Sequence, residues 1–159
     1  MTSPPSDQSL AKTVFFFSKL GVSETLPAAA EKKDFFSDLI RSILTVDSID
    51  RGRIVCTLTV NSAVTNPYNT LHGGAVAAVA EAVALACART VVGEELFLGE
   101  LSNSYLAAAR IGMEVEVDGS ILRQGRRVIV TSVEFKTKKT RHLIYTSRAT
   151  FYVMPVARL

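Results

Sequence analysis

The feature that most constrains the fold is an alanine-rich stretch, residues 75–88, which is apolar at every position except Glu81. Such a stretch predicts a helix, which we place from about Gly73 to Thr90. A helix that is apolar on every face belongs in the interior of a protein, so we expect a β-sheet to wrap around it. Alanine side chains are small, and they let neighbouring strands approach the helix closely.

Glu81 is the one carboxylate of this stretch. Its neighbours on the helix surface include Ala77, Ala84 and Leu85, none of which can pair with it. A buried carboxylate without a partner is unfavourable, so Glu81 needs a partner from elsewhere or a water-lined cleft. An isolated acid of this kind is suited to act as a general base or a nucleophile. The alternative is an ordinary solvated glutamate at a helix edge.

The helix begins at His72-Gly73-Gly74, after the turn-rich segment 65–69. The first amides of a helix are free donors at the positive end of its dipole, and they can form an oxyanion hole for a carbonyl. Alternatively, the glycines only permit a tight turn and His72 only caps it. Gly73 and Glu81 are eight residues apart, about 12 Å along a helix. One carbonyl cannot contact both in one chain, which predicts a two-fold dimer with composite sites.

The rest of the chain indicates an α+β domain. We expect short helices near Leu10–Leu20 and over Ala28–Leu44, the second from its helical apolar spacing. Alternating patterns predict antiparallel strands. These strands are expected at Leu44–Ile49, Arg53–Val60, Leu96–Ala109, around Met113–Val117, at Arg127–Lys136 and at Leu143–Met154. Residues 1–27 are interpreted as a partly helical N-terminal arm and residues 28–159 as the functional domain.

Composition narrows the function classes. The chain has 159 residues and a net charge of +3, which suits an anionic small molecule and not a nucleic acid. Cys56 and Cys87 lie in apolar runs without metal-ligand spacing, so we expect buried thiols in an intracellular protein and no metal site. We expect no membrane span, because the longest apolar stretch is too short. Ala157-Arg158-Leu159 resembles a C-terminal peroxisomal address, which leaves a cytoplasmic or a peroxisomal location open.

Three segments together resemble a known family. They are residues 66–74, which read Asn-Pro-Tyr-Asn-Thr-Leu-His-Gly-Gly, then Glu81, then residues 99–109. They are similar to the hotdog-fold acyl-CoA thioesterases, in the phenylacetate-degradation-protein-like branch that includes the human thioesterase superfamily members. The resemblance extends from about Leu44 to Met154.

This resemblance implies the hotdog fold, an antiparallel sheet wrapped around a long central helix. It implies hydrolysis of a fatty or aromatic acyl-CoA in lipid metabolism, by homodimers that share their active sites and assemble into tetramers. The Gly73 amide would polarise the thioester carbonyl, and Asn66 and His72 would orient that region. Glu81 of the partner chain would activate water or attack the carbonyl. Many members carry Asp at this position. No cofactor is implied, because coenzyme A is part of the substrate.

The family also implies a basic turn that contacts coenzyme A. It corresponds here to Arg123, Gln124, Gly125, Arg126 and Arg127. This chain departs from the family pattern at the residue that holds the attacking water. Related enzymes place a Ser or Thr near this chain's Leu98 to hold it, and the nearest hydroxyls here belong to Ser102 and Ser104.

Two other functions remain open on the same fold. One is an enoyl-CoA hydratase or dehydratase in which His72 acts as the base. The other is a non-catalytic acyl-CoA-binding domain, although pure binding does not require an isolated acid.

Overall fold

The computed structural model describes residues 7–154. The predicted C-terminal address, Ala157-Arg158-Leu159, lies outside these residues. The chain divides into two compact units, Met1–Phe35 and Phe36–Leu159. The boundary that the sequence places between residues 27 and 28 stays a prediction.

The described part of the first unit begins with helix α1 (Asp7–Lys19), as the sequence predicts near Leu10–Leu20. None of the residues of α1 is buried. A short 3-10 helix, Ala28–Glu31, follows after a turn at Gly21, which has a φ of 71°.

The single helix predicted over Ala28–Leu44 is wrong. The chain forms the 3-10 helix and then a separate helix, α2 (Phe35–Ser42). Asp34, immediately before α2, has a φ of 65°, and this left-handed conformation interrupts a right-handed helix. The apolar spacing was informative in the second half of the segment, because Ile40 and Ile43 are buried in the core.

Within residues 7–154, six antiparallel strands form one sheet in the order β1-β2-β4-β5-β6-β3, which confirms the predicted α+β architecture. The strands are β1 (Leu44–Asp50), β2 (Arg53–Thr59), β3 (Leu96–Tyr105), β4 (Glu114–Gln124), β5 (Val128–Thr137) and β6 (Leu143–Val153). Every segment with a period-two pattern forms a strand. The segment predicted as extended to Ala109 leaves the sheet after Tyr105. Strands β1 and β3 are the two edges.

The long helix α3 (Gly73–Arg89) packs against the sheet through one face. Its buried residues are Ala75, Val76, Val79, Ala80, Val83, Ala84, Cys87 and Ala88. The approach is close, as the small side chains predict. A Cβ atom placed on Gly119 of β4 would lie 2.8 Å from Cγ1 of Val83.

The predicted packing of the sheet against α3 is confirmed, but the single chain does not bury every face of this helix. Glu81, Ala82 and Ala86 are exposed, and Ala77 and Ala78 are only partly buried. The six-stranded sheet packs against one side of α3, and the residues on the opposite side are exposed. A uniformly apolar helix therefore has an open face of alanines with one carboxylate. Within residues 7–154, no helix has the length and hydropathy to cross a membrane.

Candidate active site

The loop before α3 is organised by the side chain of Asn66. Its Oδ1 accepts hydrogen bonds from the Tyr68 amide at 3.0 Å, the Thr70 amide at 3.3 Å and the Thr70 hydroxyl at 3.0 Å. Asn69, at the tip, has a φ of 57°, a conformation that asparagine tolerates better than most residues. Asn66 therefore shapes the turn that leads into the helix.

His72 is the N-cap of α3. Its Nδ1 accepts a hydrogen bond from the Gly74 amide at 3.0 Å, and its own amide donates to the Val64 carbonyl at 2.8 Å. The Gly73 amide, in contrast, has no hydrogen-bond acceptor among the described residues. The cap thus satisfies the second amide of the helix and leaves the first one available. This free donor stands at the positive end of a helix of 17 residues.

Tyr105, at the end of β3, lies against the helix start. Its hydroxyl donates to the Gly73 carbonyl at 3.0 Å, and its ring would be 3.4 Å from a Cβ atom at Gly73. The ring also packs edge-on against Tyr145, with centroids 5.8 Å apart. Burial raises the pKa of Tyr145, whose hydroxyl accepts from the Ala109 amide at 2.9 Å. The sequence did not assign Tyr105 a role, because its contact with Gly73 depends on how β3 returns to the helix.

Glu81 lies about two turns beyond Gly73 on the open face of α3. Its carboxylate makes no hydrogen bond or ion pair with any described residue. The prediction of an isolated carboxylate is therefore confirmed within the described chain, whereas its burial is not.

The turn predicted to contact coenzyme A joins β4 to β5. A pocket of about 290 Å³ is lined there by Arg123, Gly125, Arg126 and Arg127. Gln124 does not line it. Its Nε2 donates instead to the Val91 carbonyl, just after the end of α3, at 3.1 Å.

These contacts locate the basic turn at the C-terminal end of α3. The same end is tied to the β1–β2 turn, since the Gly52 amide donates to the Thr90 hydroxyl at 2.7 Å. Gly73 lies at the opposite end, beside Tyr105. Within one chain, the structure therefore separates the predicted nucleotide-binding arginines from the predicted oxyanion donor by the length of α3, about 25 Å.

The hydroxyls considered as water-holding groups, Ser102 and Ser104, lie on the outer face of the sheet. They line a groove there together with Arg148, which is the register partner of Ser102. The residues between them, Leu101 and Asn103, are more buried, because alternate residues of a strand face opposite sides. Neither serine faces the helix.

No group of three His, Cys, Asp or Glu residues within the described range is placed to hold a metal ion. Cys56 and Cys87 are buried and free, as expected. Burial raises the pKa of both thiols, that of Cys87 to about 11.

The chain is similar to known proteins in sequence and in fold. Residues 68–144 match the family model of the thioesterase superfamily. Acyl-coenzyme A thioesterase 13 of Mus musculus is 30% identical over 116 residues, covering 71% of this chain and 81% of the mouse protein. Its Homo sapiens counterpart is 28% identical over 130 residues, covering 80% and 90%. The crystal structure of zebra fish thioesterase superfamily member 2 superposes with a TM-score of 0.72 at 27% identity, covering 80% of this chain and 91% of that one.

Proposed function

Because this chain belongs to the thioesterase superfamily, we propose that it hydrolyses acyl-CoA thioesters at a site shared by two copies of the chain. The Gly73 amide of one copy polarises the thioester carbonyl. Glu81 of the other copy acts as the general base or the nucleophile. The observation that carries the proposal is the unsatisfied Gly73 amide beside a capped Gly74 amide.

The Gly73 amide suits an oxyanion better than a ground-state carbonyl. Negative charge develops on the thioester oxygen as the carbonyl carbon becomes tetrahedral, and the donor already stands at the positive helix end. Asn66 and His72 fix the backbone on the N-terminal side of this donor, and Tyr105 fixes the Gly73 carbonyl. The donor is therefore preorganised, so little energy is lost in orienting it during the reaction.

The open face of α3 and the free edge of β3 support a two-fold dimer. Strand β3 has 10 residues and an unpaired edge, and an edge of this length is a template for pairing with another chain. Antiparallel pairing of two β3 strands would place the two α3 helices side by side in opposite directions. Glu81 of each helix would then be directed towards the start of the other helix.

The same arrangement supports the coenzyme A assignment. Opposed helices bring the C-terminal end of one α3 close to the N-terminal end of the other. The Arg123–Arg127 turn of one copy would approach Gly73 of its partner, where its guanidinium groups can bind phosphates. The tetramer, the cytoplasmic or peroxisomal location, and the choice between fatty and aromatic acyl groups stay predictions.

As a general base, Glu81 takes a proton from water while the water oxygen bonds to the carbonyl carbon. The tetrahedral intermediate then breaks its C–S bond, and the proton passes to the departing thiolate of coenzyme A. In the nucleophilic alternative, the carboxylate bonds to the carbonyl carbon and the C–S bond breaks, so the thiolate of coenzyme A leaves and a mixed anhydride remains. Water then hydrolyses the anhydride to the free acid and regenerates the carboxylate. The hydratase alternative has less support, because Nδ1 of its supposed base, His72, accepts the capping hydrogen bond from Gly74.

The test is hydrolysis of a panel of short, medium, long and aromatic acyl-CoAs, with free thiol detected as coenzyme A is released. Glu81→Gln should lower kcat by at least about 100-fold, the usual contribution of a positioned base. Glu94→Gln, in an exposed loop, is the matched control and should retain activity. Full activity of Glu81→Gln would overturn the mechanism, and hydration of enoyl-CoAs without thiol release would favour the hydratase.

Composite sites are tested separately by mixing two inactive variants, Gly73→Pro and Glu81→Gln. Random mixing gives half mixed dimers, and each mixed dimer has one intact site out of two. About a quarter of the wild-type activity should therefore return. Sites contained within single chains would regain none after subunit exchange has been demonstrated.

A further inference from the structure

Asn103 is a polar residue on the helix-facing side of β3, and the family resemblance assigns no role to it. Its Oδ1 accepts a hydrogen bond from the Ser147 hydroxyl of β6 at 2.6 Å. The two residues are direct register partners, and Ser147 is buried. Because the oxygen of the amide is held by Ser147, the Nδ2 group must point away from β6.

The Nδ2 group of Asn103 is available as a donor. It makes no hydrogen bond with any described residue. No fully buried side-chain polar atom lacks a partner in residues 7–154, so Nδ2 is accessible. Asn103 itself is partly buried. Strand β3 thus presents an oriented N–H donor that has no hydrogen-bond partner among the described residues.

The position of Asn103 along α3 follows from the two ends of β3. Tyr105 contacts Gly73 at the helix start, and Glu95, just before β3, pairs with Arg89 at the helix end at 3.1 Å. Strand and helix therefore run in opposite directions. Asn103 lies about 7 Å before Tyr105 on the same face, which places it about one turn into α3, between the levels of Gly73 and Glu81.

The other residues of β3 leave the attacking water without a holder. Leu98 and Leu101 have no polar group, Ser102 and Ser104 face the outer side of the sheet, and the hydroxyl of Tyr105 is committed to Gly73. Among the described residues of β3, Asn103 is the one with a free side-chain donor on the helix side.

We propose that Asn103 binds the water that attacks the acyl carbonyl, and that Ser147 is a positioning residue that orients its amide. This inference rests on the proposed thioesterase function. The Nδ2 group donates to the water oxygen, and the water gives one proton to Glu81 of the other copy. The oxygen bonds to the carbonyl carbon, the C–S bond breaks, and the thiolate recovers the proton from Glu81.

Two variants of different character test the role of Asn103. Asn103→Asp keeps the size and the acceptor for Ser147 but removes the donor, whereas Asn103→Leu removes both. Each should lower kcat about 10- to 100-fold with KM changed by less than about three-fold, because the contact forms with water and not with the bound thioester. Ser147→Ala should give a smaller loss of kcat. Ser102→Ala, on the opposite face of β3, should leave it unchanged.

A competing nucleophile separates water binding from a structural role. With hydroxylamine in the assay, the wild type forms both free acid and hydroxamate. Loss of the water-holding donor should raise the hydroxamate-to-acid ratio at least about three-fold in both Asn103 variants. The reason is that Asn103 positions the attacking water but not hydroxylamine, so only the attack by water is slowed. A structural defect would lower both products together and leave the ratio unchanged.

The outcomes distinguish the two proposals. If the wild type is active and Glu81→Gln is inactive, an unchanged kcat or an unchanged product ratio in Asn103→Asp overturns the role of Asn103 alone. If the wild type hydrolyses no acyl-CoA, the proposed function fails first. Circular dichroism and size-exclusion chromatography confirm that each variant is folded and assembled as the wild type is.

Discussion

Replacing Gly73 with proline removes the proposed oxyanion donor with little other change to the chain. Gly73 is the first residue of α3, where the fixed φ of proline fits and its missing N–H removes no helical hydrogen bond. The preceding residue, His72, has φ −66° and ψ 134°, an extended conformation that a following proline favours. The Gly73 amide also has no acceptor in the described chain, so its loss leaves no internal partner unsatisfied.

The expected effects on activity and on stability differ in size. Removing one oxyanion donor costs about 10²- to 10³-fold in kcat, equivalent to about 2.7–4 kcal/mol of transition-state stabilisation. The free energy of unfolding should change by less than about 1 kcal/mol, because two effects oppose each other. Proline restricts the unfolded chain, which stabilises the fold, whereas the nearby Tyr105 ring limits the space for the added atoms. Steady-state hydrolysis of the best acyl-CoA and thermal unfolding measure the two quantities.

Gly73→Ala is the matched control for this experiment. It adds a side chain that meets the Tyr105 ring at an ordinary contact distance of 3.4 Å, and it keeps the amide. It should retain activity within a few-fold of the wild type. If Gly73→Pro is folded and as active as Gly73→Ala, the Gly73 amide is not the oxyanion donor.

Three further predictions concern packing, thiols and the cap. Gly119→Ala should lower the free energy of unfolding in urea by about 1–3 kcal/mol, because its Cβ would lie 2.8 Å from Val83. Gly93→Ala, whose Cβ would have no atom within 4 Å, is the control and should leave the free energy of unfolding unchanged. Burial raises the pKa of Cys87 to about 11, so its thiol is protonated at pH 8 and should react with a disulfide reagent only after denaturation; rapid labelling of the native protein would contradict its burial. His72→Asn should preserve the cap and most activity, whereas His72→Ala should lower the free energy of unfolding by about 1 kcal/mol; an inactive but stable His72→Asn would indicate a chemical role.

The signals on which the proposed site rests are local in the sequence. The glycines at the start of α3, the isolated Glu81 and the alternating strands are all visible in short windows of sequence. A helix start supplies free amides wherever it stands in the fold. The separation of Gly73 from Glu81 also follows from helix geometry alone, so the expectation of a shared site needed no tertiary contact.

The predictions were wrong where the structure depends on the conformation of a single backbone position or on which side of a helix the sheet covers. The left-handed Asp34 divided a segment whose apolar spacing indicated one helix. Helix α3 is apolar on nearly all sides, so its composition left open whether the side that carries Glu81 is buried or exposed. Only the packed chain shows that Glu81 lies on the open side.

By itself, the sequence determined the six strands and the long helix and indicated the family, and it pointed to Gly73 and Glu81, the residues that we propose as oxyanion donor and acid. The tertiary structure decided that the Arg123–Arg127 turn lies at the far end of α3 from Gly73, that Tyr105 contacts Gly73, and that Asn103 faces the helix while Ser102 faces away. The physical reason is that local patterns and tertiary contacts involve residues at different separations along the chain. Periodicity reports how neighbouring residues alternate along the chain, whereas strand order and packing side are set by contacts between residues far apart in sequence.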